Sequence, residues 1–391
     1  MRAPMTINGN EPERCTSCIL PRSAKHVRFN SLGLCQLCSS RESPPHSVRN
    51  GSYQLKAQDA KRCEEVEQIT RIKEGAGRLF DCIVGISGGR DSSYLLYLLV
   101  RKHNLRCLAA YYRTPFTSEV IDENVKRLVN VLNVPLLNID ISHEFHRRIA
   151  REMVILWTKK PNPVLTNLAC APCKLVNREL FKIARTKRIR SIIYGTNIFE
   201  DVNIAPWQPQ PADALGRKAR RRYSLIANVL KTFSIVRSGI GLLMTHPELC
   251  RHGFIGFQSS FLYMNPHTLF LRLYYPHIDI TEYFYHAEWN ESHCAKVLKE
   301  LGWRLPPICN TYWKVDCSFS EIKNYMLYET RGVTYIDAFF SNMVRAGFLS
   351  RDEALQRIEV EGRISWERIA EACRALELPE DFFASLGQRV A

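Results

Sequence analysis

The stretch Asp81-Cys-Ile-Val-Gly-Ile-Ser87-Gly88-Gly89-Arg90-Asp91-Ser92-Ser93 holds the residue types best suited to chemistry, and an apolar Tyr-Leu-Leu-Tyr-Leu-Leu run follows it. An apolar strand enters a turn rich in glycine and serine, and the turn opens an apolar helix. Gly88 and Gly89 can take backbone angles closed to other residues and let a ligand approach the main chain. A helix starting near Asp91 offers unpaired N–H groups and the positive end of its dipole. Ser87, Ser92 and Ser93 add hydroxyl donors. These features together suit an anion with several oxygens, above all phosphate. Glycine and serine are also common in ordinary βα turns, but the strand, the Asp-Ser-Ser and the helix in sequence favour phosphate. Asp91 is not itself a phosphate ligand; its carboxylate fits best as an oxygen ligand for Mg²⁺. The loop has neither the spacing nor the lysine of G-x-x-x-x-G-K-[ST].

Cysteine supplies the second set of candidates. Cys15-Thr-Ser-Cys18 and Cys35-Gln-Leu-Cys38 read C-x2-C-x16-C-x2-C, a metal-ligand spacing. Four thiolates on two knuckles complete a tetrahedron for Zn²⁺ and leave no open position, so the expected role is structural. A further pair, Cys170-Ala-Pro-Cys173, precedes a helix. It reads as half of a second metal site, completed by a histidine or by Cys309 and Cys317. It also reads as a redox-active or sulfur-carrying pair, because a helix N-terminus lowers a thiol pKa, or as simply structural.

The elements that must position these groups alternate between strand and helix from residue 78 to about 205. Strands are expected at Cys82–Ile86, Arg106–Tyr112, Leu136–Ile141 and Ser191–Tyr194. Helices are expected at Asp91–Lys102, from Ser118, at Phe145–Trp157 and at Lys174–Lys187. Such repetition calls for an α/β fold with a doubly wound parallel sheet, whose ligands bind at the carboxyl ends of the strands. Tyr111-Tyr112-Arg113 and Gly195-Thr196-Asn197 fall at those ends. Tyr112 or Arg113 is placed to line a base pocket and Gly195-Thr196 to close over a ribose or phosphate; both also read as ordinary strand ends. The expected division is a zinc ribbon over 1–50, a linker helix over 51–77 (Gln54 to Lys73 at its heart), the sheet domain over 78–305 and a helical region over 306–391. A helical pattern at Leu225–Met244 and an extended one at Leu269–Tyr275 fall within the third part. In the fourth, helices are expected from Phe319, behind a capping box at Ser350-Arg-Asp-Glu353, and from Glu377-Leu-Pro-Glu-Asp381.

Among the 391 residues, 46% are hydrophobic and 24% charged, enough for two or three domains and a large core. No run of 18 apolar residues or secretory h-region is present, and the 14 cysteines suit a reducing compartment, so a cytoplasmic protein without a membrane span is expected. The net charge of +15 calls for an anionic partner. Part of the excess sits in Arg217-Lys-Ala-Arg-Arg-Arg222, which reads as a solvated loop or as a contact with anionic substrate or nucleic acid.

Ser-Gly-Gly-x-Asp-Ser resembles the signature of the PP-loop superfamily, the N-type ATP pyrophosphatases. The order of motifs resembles its N-acetyl sugar amidotransferase family: Cys15-Thr-Ser-Cys18-Ile-Leu-Pro21, Gly33-Leu-Cys35-Gln-Leu-Cys38, Asp81 to Gly89, the mid-chain cysteine pair, Tyr194-Gly-Thr-Asn197 and Glu300-Leu-Gly-Trp303. The resemblance implies ATP on Gly85, Ser87, Gly88, Gly89, Arg90, Asp91, Ser92, Ser93, Tyr112, Gly195 and Thr196, with Asp91 and Ser92 catalytic and Mg²⁺ on Asp91. An acceptor oxygen, in family members that of an N-acetyl group on a sugar or nucleotide-sugar, would attack the α-phosphate, and ammonia would then displace AMP. The family's place is polysaccharide biosynthesis, and its ammonia comes from separate glutaminase and channelling subunits. The same fold and adenylylation also serve sulfur transfer to a tRNA base or small molecule, with Cys170 or Cys173 delivering sulfur. A zinc-ribbon protein that binds nucleic acid without turning over ATP is the reading from another class.

Overall fold

The computed structural model describes residues 13–25, 27–39, 51–200, 244, 247, 269–309 and 311–387. Five strands make one sheet in the order β3-β2-β1-β4-β5, and every neighbouring pair runs parallel. They are β1 (Cys82–Ile86), β2 (Cys107–Tyr111), β3 (Leu136–Asn138), β4 (Ser191–Tyr194) and β5 (Asp279–Glu282). The three inner strands are almost wholly apolar, as strands covered on both faces must be. Alternate residues serve opposite faces: Cys82, Val84, Cys107, Ala109 and Ile193 enter one core, and Ile83, Leu108, Ala110 and Ile192 enter the other. The sheet is therefore doubly wound. From β1 the chain proceeds outward through β2 and β3, then returns to β4 on the other side. That reversal beside β1 is where an open α/β sheet leaves a crevice.

Two expectations near the sheet's edge change. Leu269–Tyr274 is a helix, not an extended segment. Alternation would bury Leu273, which is 71% exposed; helical spacing instead buries Leu271 and Tyr275, four residues apart. β5, with Ile280 its one strongly apolar residue, carries no strand signal of its own and forms by pairing with β4. The expected helix at Leu225–Met244 lies, apart from Met244, outside the described residues, as does the 206–222 stretch.

The polar segment before the sheet is a helix, Gly51–Glu74, and its second half is docked. Ile69 and Ile72 enter the main core, and Glu65 is buried beside Lys102, His103 and Tyr283. Burial opposes the Glu65 charge, but hydrogen bonds from His103, Lys102 and Tyr283 outweigh it and hold the carboxyl at about 2. Its folded pKa lies below its ordinary value of 4.5, so its stabilisation is full above that value and is lost as pH falls towards 2. Glu65→Gln should lower the urea midpoint at pH 7, with the difference from wild type shrinking steadily in titrations taken down to pH 3.

The C-terminal helices Phe319–Arg331, Tyr335–Arg345, Arg351–Glu361, Trp366–Ala375 and Phe382–Gly387 pack back on the sheet domain. Ile336, Phe339, Phe340 and Met343 share a core with β1 and β2. Ser350 caps its helix by accepting from the Glu353 N–H at 3.1 Å, while the reciprocal box is made by Thr334 and Asp337. The cysteine knuckles sit on the same helices. Arg14 pairs with Asp337 at 2.7 Å, and Val333 completes the small core around Cys15, Cys18 and Cys35. No helix among the described residues is long and apolar enough to cross a membrane.

Candidate functional site

β1 ends at Ile86, and Ser87 to Ser93 turn directly into helix Arg90–Tyr97 at the crevice between β1 and β4. Gly88 takes φ +83°, and a Cβ there would stand 2.6 Å from Ile121 Cγ2, so the turn lies tight on helix Glu119–Leu132. Gly195, at the end of β4, approaches so closely that a Cβ would meet the Asp91 carbonyl at 3.1 Å and the Ser92 N at 3.2 Å. The loop hydroxyls close on one another. Ser92 Oγ accepts from the Ser87 N–H at 3.1 Å and lies 3.1 Å from Ser87 Oγ, which accepts from the Gly89 N–H at 3.3 Å. An arriving phosphate would find these donors already gathered at a helix N-terminus.

Asp91 is the hub beneath the loop. Its Oδ1 accepts from Arg90 Nε at 2.9 Å and Trp289 Nε1 at 3.0 Å, and its Oδ2 accepts from Asn197 Nδ2 at 3.2 Å. Burial opposes its ionisation, but Arg90 and the three hydrogen bonds hold it below the usual carboxylate range. Arg90 is only 4% exposed; it stacks on Trp289 and donates to Glu291 at 2.7 Å. Its guanidinium is thus committed to the protein rather than open to a nucleotide. Ser93 is fully buried, so its hydroxyl does not reach the open face of the loop.

Further charges gather at the mouth. The carboxyl carbon of Asp316 lies 3.3 Å from where a Gly89 Cβ would be, and Lys314 pairs with Glu200 at 2.6 Å. Burial pushes the Glu200 carboxyl up, with Lys314 opposing and Asp91 and Asp316 adding to it. Sequence reasoning missed Trp289, Glu291, Lys314 and Asp316. They are some 200 residues from the loop and carry no local motif. Two motif residues do find their place: Asn197 on Asp91, and Trp303, whose indole N–H donates to the Gly88 carbonyl at 2.9 Å. Gly85 and Thr196 stay beside the loop on β1 and after β4.

Tyr112 does not join this group. Its hydroxyl lies 2.9 Å from His146 Nδ1 on the sheet's other face, and His146 Nε2 lies 3.6 Å from Cys173 Sγ. Burial holds His146 down at about 3, so it is neutral. Cys170 is the N-cap of helix Ala171–Lys187, with Cys173 in its first turn. Cys317 comes to the same place: Ser318 N donates to the Phe116 carbonyl at 3.0 Å, and Phe116 meets the His146 ring edge-on at 5.3 Å. Lys323 and Lys174 bring positive charge to these thiols. Burial pushes Cys317 up to about 12 and Cys173 well above its ordinary value, so both are neutral thiols as they stand. Cys309 is not brought to them; it lies in the main core.

Cys15, Cys18, Cys35 and Cys38 converge with all ligand atoms within 4.8 Å of one another, the one such group among the described residues. Cys18 and Cys35 sulfurs are 3.8 Å apart, the edge that metal–sulfur bonds of about 2.3 Å give a tetrahedron. Backbone N–H groups of Cys35 and Leu20 donate to the Cys15 and Cys18 sulfurs. The set fits a single soft metal ion.

No family model matches the sequence, and no curated protein matches it. Among solved structures, NMN synthetase from Francisella tularensis is similar over 79% of this chain and 95% of its own, at 15% identity and a TM-score of 0.35. The U34-tRNA thiolase NcsA from Methanococcus maripaludis, with its 4Fe-4S cluster, is similar over 91% of this chain and 92% of its own, at 13% identity and a TM-score of 0.31.

Proposed function

We propose that the chain is an ATP-dependent adenylylating enzyme that forms AMP and pyrophosphate and acts as an amidotransferase. The observation that carries this reading is the Ser87–Ser93 loop, set at the sheet's reversal point with Gly195 pressed against it and Asp91 beneath it. ATP would lay its phosphates on the loop's N–H groups and the Ser87 and Ser92 hydroxyls. An acceptor oxygen, such as that of a sugar N-acetyl group, attacks the α-phosphorus and pyrophosphate leaves. Ammonia from a separate glutaminase then displaces AMP, leaving an amidine. Preorganised donors around the phosphates, rather than covalent catalysis, supply the rate.

Magnesium would neutralise phosphate charge as the reaction proceeds. Asp91 and Asp316 are the carboxylates at the loop that would hold it. Both Asp91 oxygens already accept, Oδ1 from Arg90 Nε and Trp289 Nε1, and Oδ2 from Asn197 Nδ2 and, at 3.5 Å, Arg90 Nη2. The ion at the four N-terminal cysteines is zinc in this reading. A sulfur-transferring variant is favoured by one observation, the arrival of Cys317 beside Cys170 and Cys173 under two lysines. Purified protein incubated with ATP and candidate acceptors should yield AMP and pyrophosphate. ADP and phosphate would overturn the adenylylation. Full activity of Cys173→Ser with ammonia supports the amidotransferase, whereas turnover that requires a sulfur donor and Cys173 supports the alternative.

A further inference from the structure

Two routes join the four-cysteine knuckle to Asp91, one running partly along the helix Arg351–Glu361 and the other by hydrogen bonds throughout. The first starts at the knuckle carbonyls. Arg351 Nε donates to the Cys15 and Cys18 carbonyls, both at 3.2 Å. On the same helix, Arg357 grips Glu291 with two donors at 2.7 and 3.2 Å, and a second Glu291 partner is Arg90, which holds Asp91. The second route starts at the sulfur. Arg345 Nη1 donates to Cys18 Sγ at 3.3 Å, and Arg345 Nη2 donates to Asn342 Oδ1. Asn342 Nδ2 donates to the Phe199 carbonyl at 2.9 Å, and Phe199 N donates to Asn197 Oδ1 at 3.0 Å. Asn197 ends the route on Asp91.

Both routes end on the carboxylate that supports the phosphate loop, and both begin on atoms whose positions the metal fixes. Without the metal, Arg345 and Arg351 lose their acceptors in place, and each guanidinium must find other partners. Asp91 would then be held from one side less firmly. We propose that Arg345 and Arg357 are positioning residues that couple the two sites, so that metal at the knuckle strengthens nucleotide binding and nucleotide strengthens retention of the metal. Reciprocity is required, because a coupling free energy acts equally on both ligands. The inference rests on reading the Ser87 loop as the phosphate site. It adds that the ribbon serves that site instead of merely folding the N-terminus.

The test uses the full chain loaded with zinc and α,β-methylene ATP with Mg²⁺, which cleavage between the α and β phosphates cannot consume. Calorimetry gives nucleotide affinity, and a chromophoric chelator reads the rate of zinc release. In the wild type, saturating nucleotide should slow zinc release about fivefold or more. Arg345→Met and Arg357→Met should each lose part of that protection, and the double variant all of it. Arg357→Lys keeps the charge without the two-donor grip and should fall between. Arg374→Met, which removes the exposed pair with Glu380 away from the knuckle, should keep full protection. Variants are compared only where one zinc per chain is retained, and Arg357→Lys serves if Arg357→Met does not fold. Nucleotide that binds the wild type without changing zinc release would overturn the coupling while leaving the phosphate reading intact. Full protection in the double variant would also overturn it. If the nucleotide fails to bind the wild type, the phosphate reading falls and the coupling falls with it.

Discussion

Gly88→Ala should abolish ATP binding and cost the fold about 3 kcal/mol. Two effects add at this position. The backbone sits at φ +83°, where an L side chain is strained by roughly 1–2 kcal/mol. The new methyl would also stand 2.6 Å from Ile121 Cγ2, 2.9 Å from Val125 Cγ2 and 3.0 Å from the Ile121 carbonyl oxygen. Side chains can yield, but that carbonyl belongs to the backbone of a buried helix turn. The loop must therefore lift, and its N–H groups lose their common focus. Trp303 also loses its register, because it donates to the Gly88 carbonyl. Adding Ile121→Ala to Gly88→Ala should return some stability and no ATP binding, since the strain and the carbonyl contact remain. Thermal melts and nucleotide titration of the two variants separate the effects. A Gly88→Ala protein that binds ATP as well as wild type would show that the phosphates sit elsewhere.

Stripping the metal from Cys15, Cys18, Cys35 and Cys38 should unfold the N-terminal knuckles and lower the melting temperature of the whole chain. The segment's own core is small: Leu20 and Ala24 beside the cysteines, with Val333 lent by the C-terminal region. So little apolar area cannot hold a fold alone, and binding of a structural zinc is worth on the order of 10 kcal/mol in comparable small domains. The loss would spread, because Arg14, Arg345 and Arg351 anchor the knuckles to two successive C-terminal helices, Tyr335–Arg345 and Arg351–Glu361. Cys35→Ser should bind less than one zinc per chain, and protease should cut within 13–39 before any other described part. A metal-free protein with an unchanged melt would assign the anchoring to the Arg14–Asp337 pair and its neighbours.

How much was legible before folding follows from where each signal sits. β1 and β4 have their expected ends because each is a continuous apolar run stopped by glycine or a polar turn. The helix from Ser118 is announced by its cap and by a single apolar face. Leu269–Tyr274 misled because its apolar residues satisfy both periods, and only burial of Leu271 and Tyr275 chooses between them. β5 was silent because an edge strand draws its stability from the neighbour's hydrogen bonds. Arg90 reads as a phosphate ligand from its place in the loop, and the fold instead turns it to Glu291 and Trp289.

Local order along the chain by itself determined the parallel α/β sheet, the phosphate-suited turn at Ser87 to Ser93 and the two cysteine knuckles. Each depends on residues within a few positions of one another, whose backbone angles and spacing are set locally. Tertiary structure alone decided what surrounds them. It placed Trp289 and Asn197 on Asp91, brought Cys317 to Cys170 and Cys173, sent Tyr112 to the opposite face and seated the knuckles on the helices that brace the loop. These contacts join residues far apart in sequence, and only the packing of the cores brings them together.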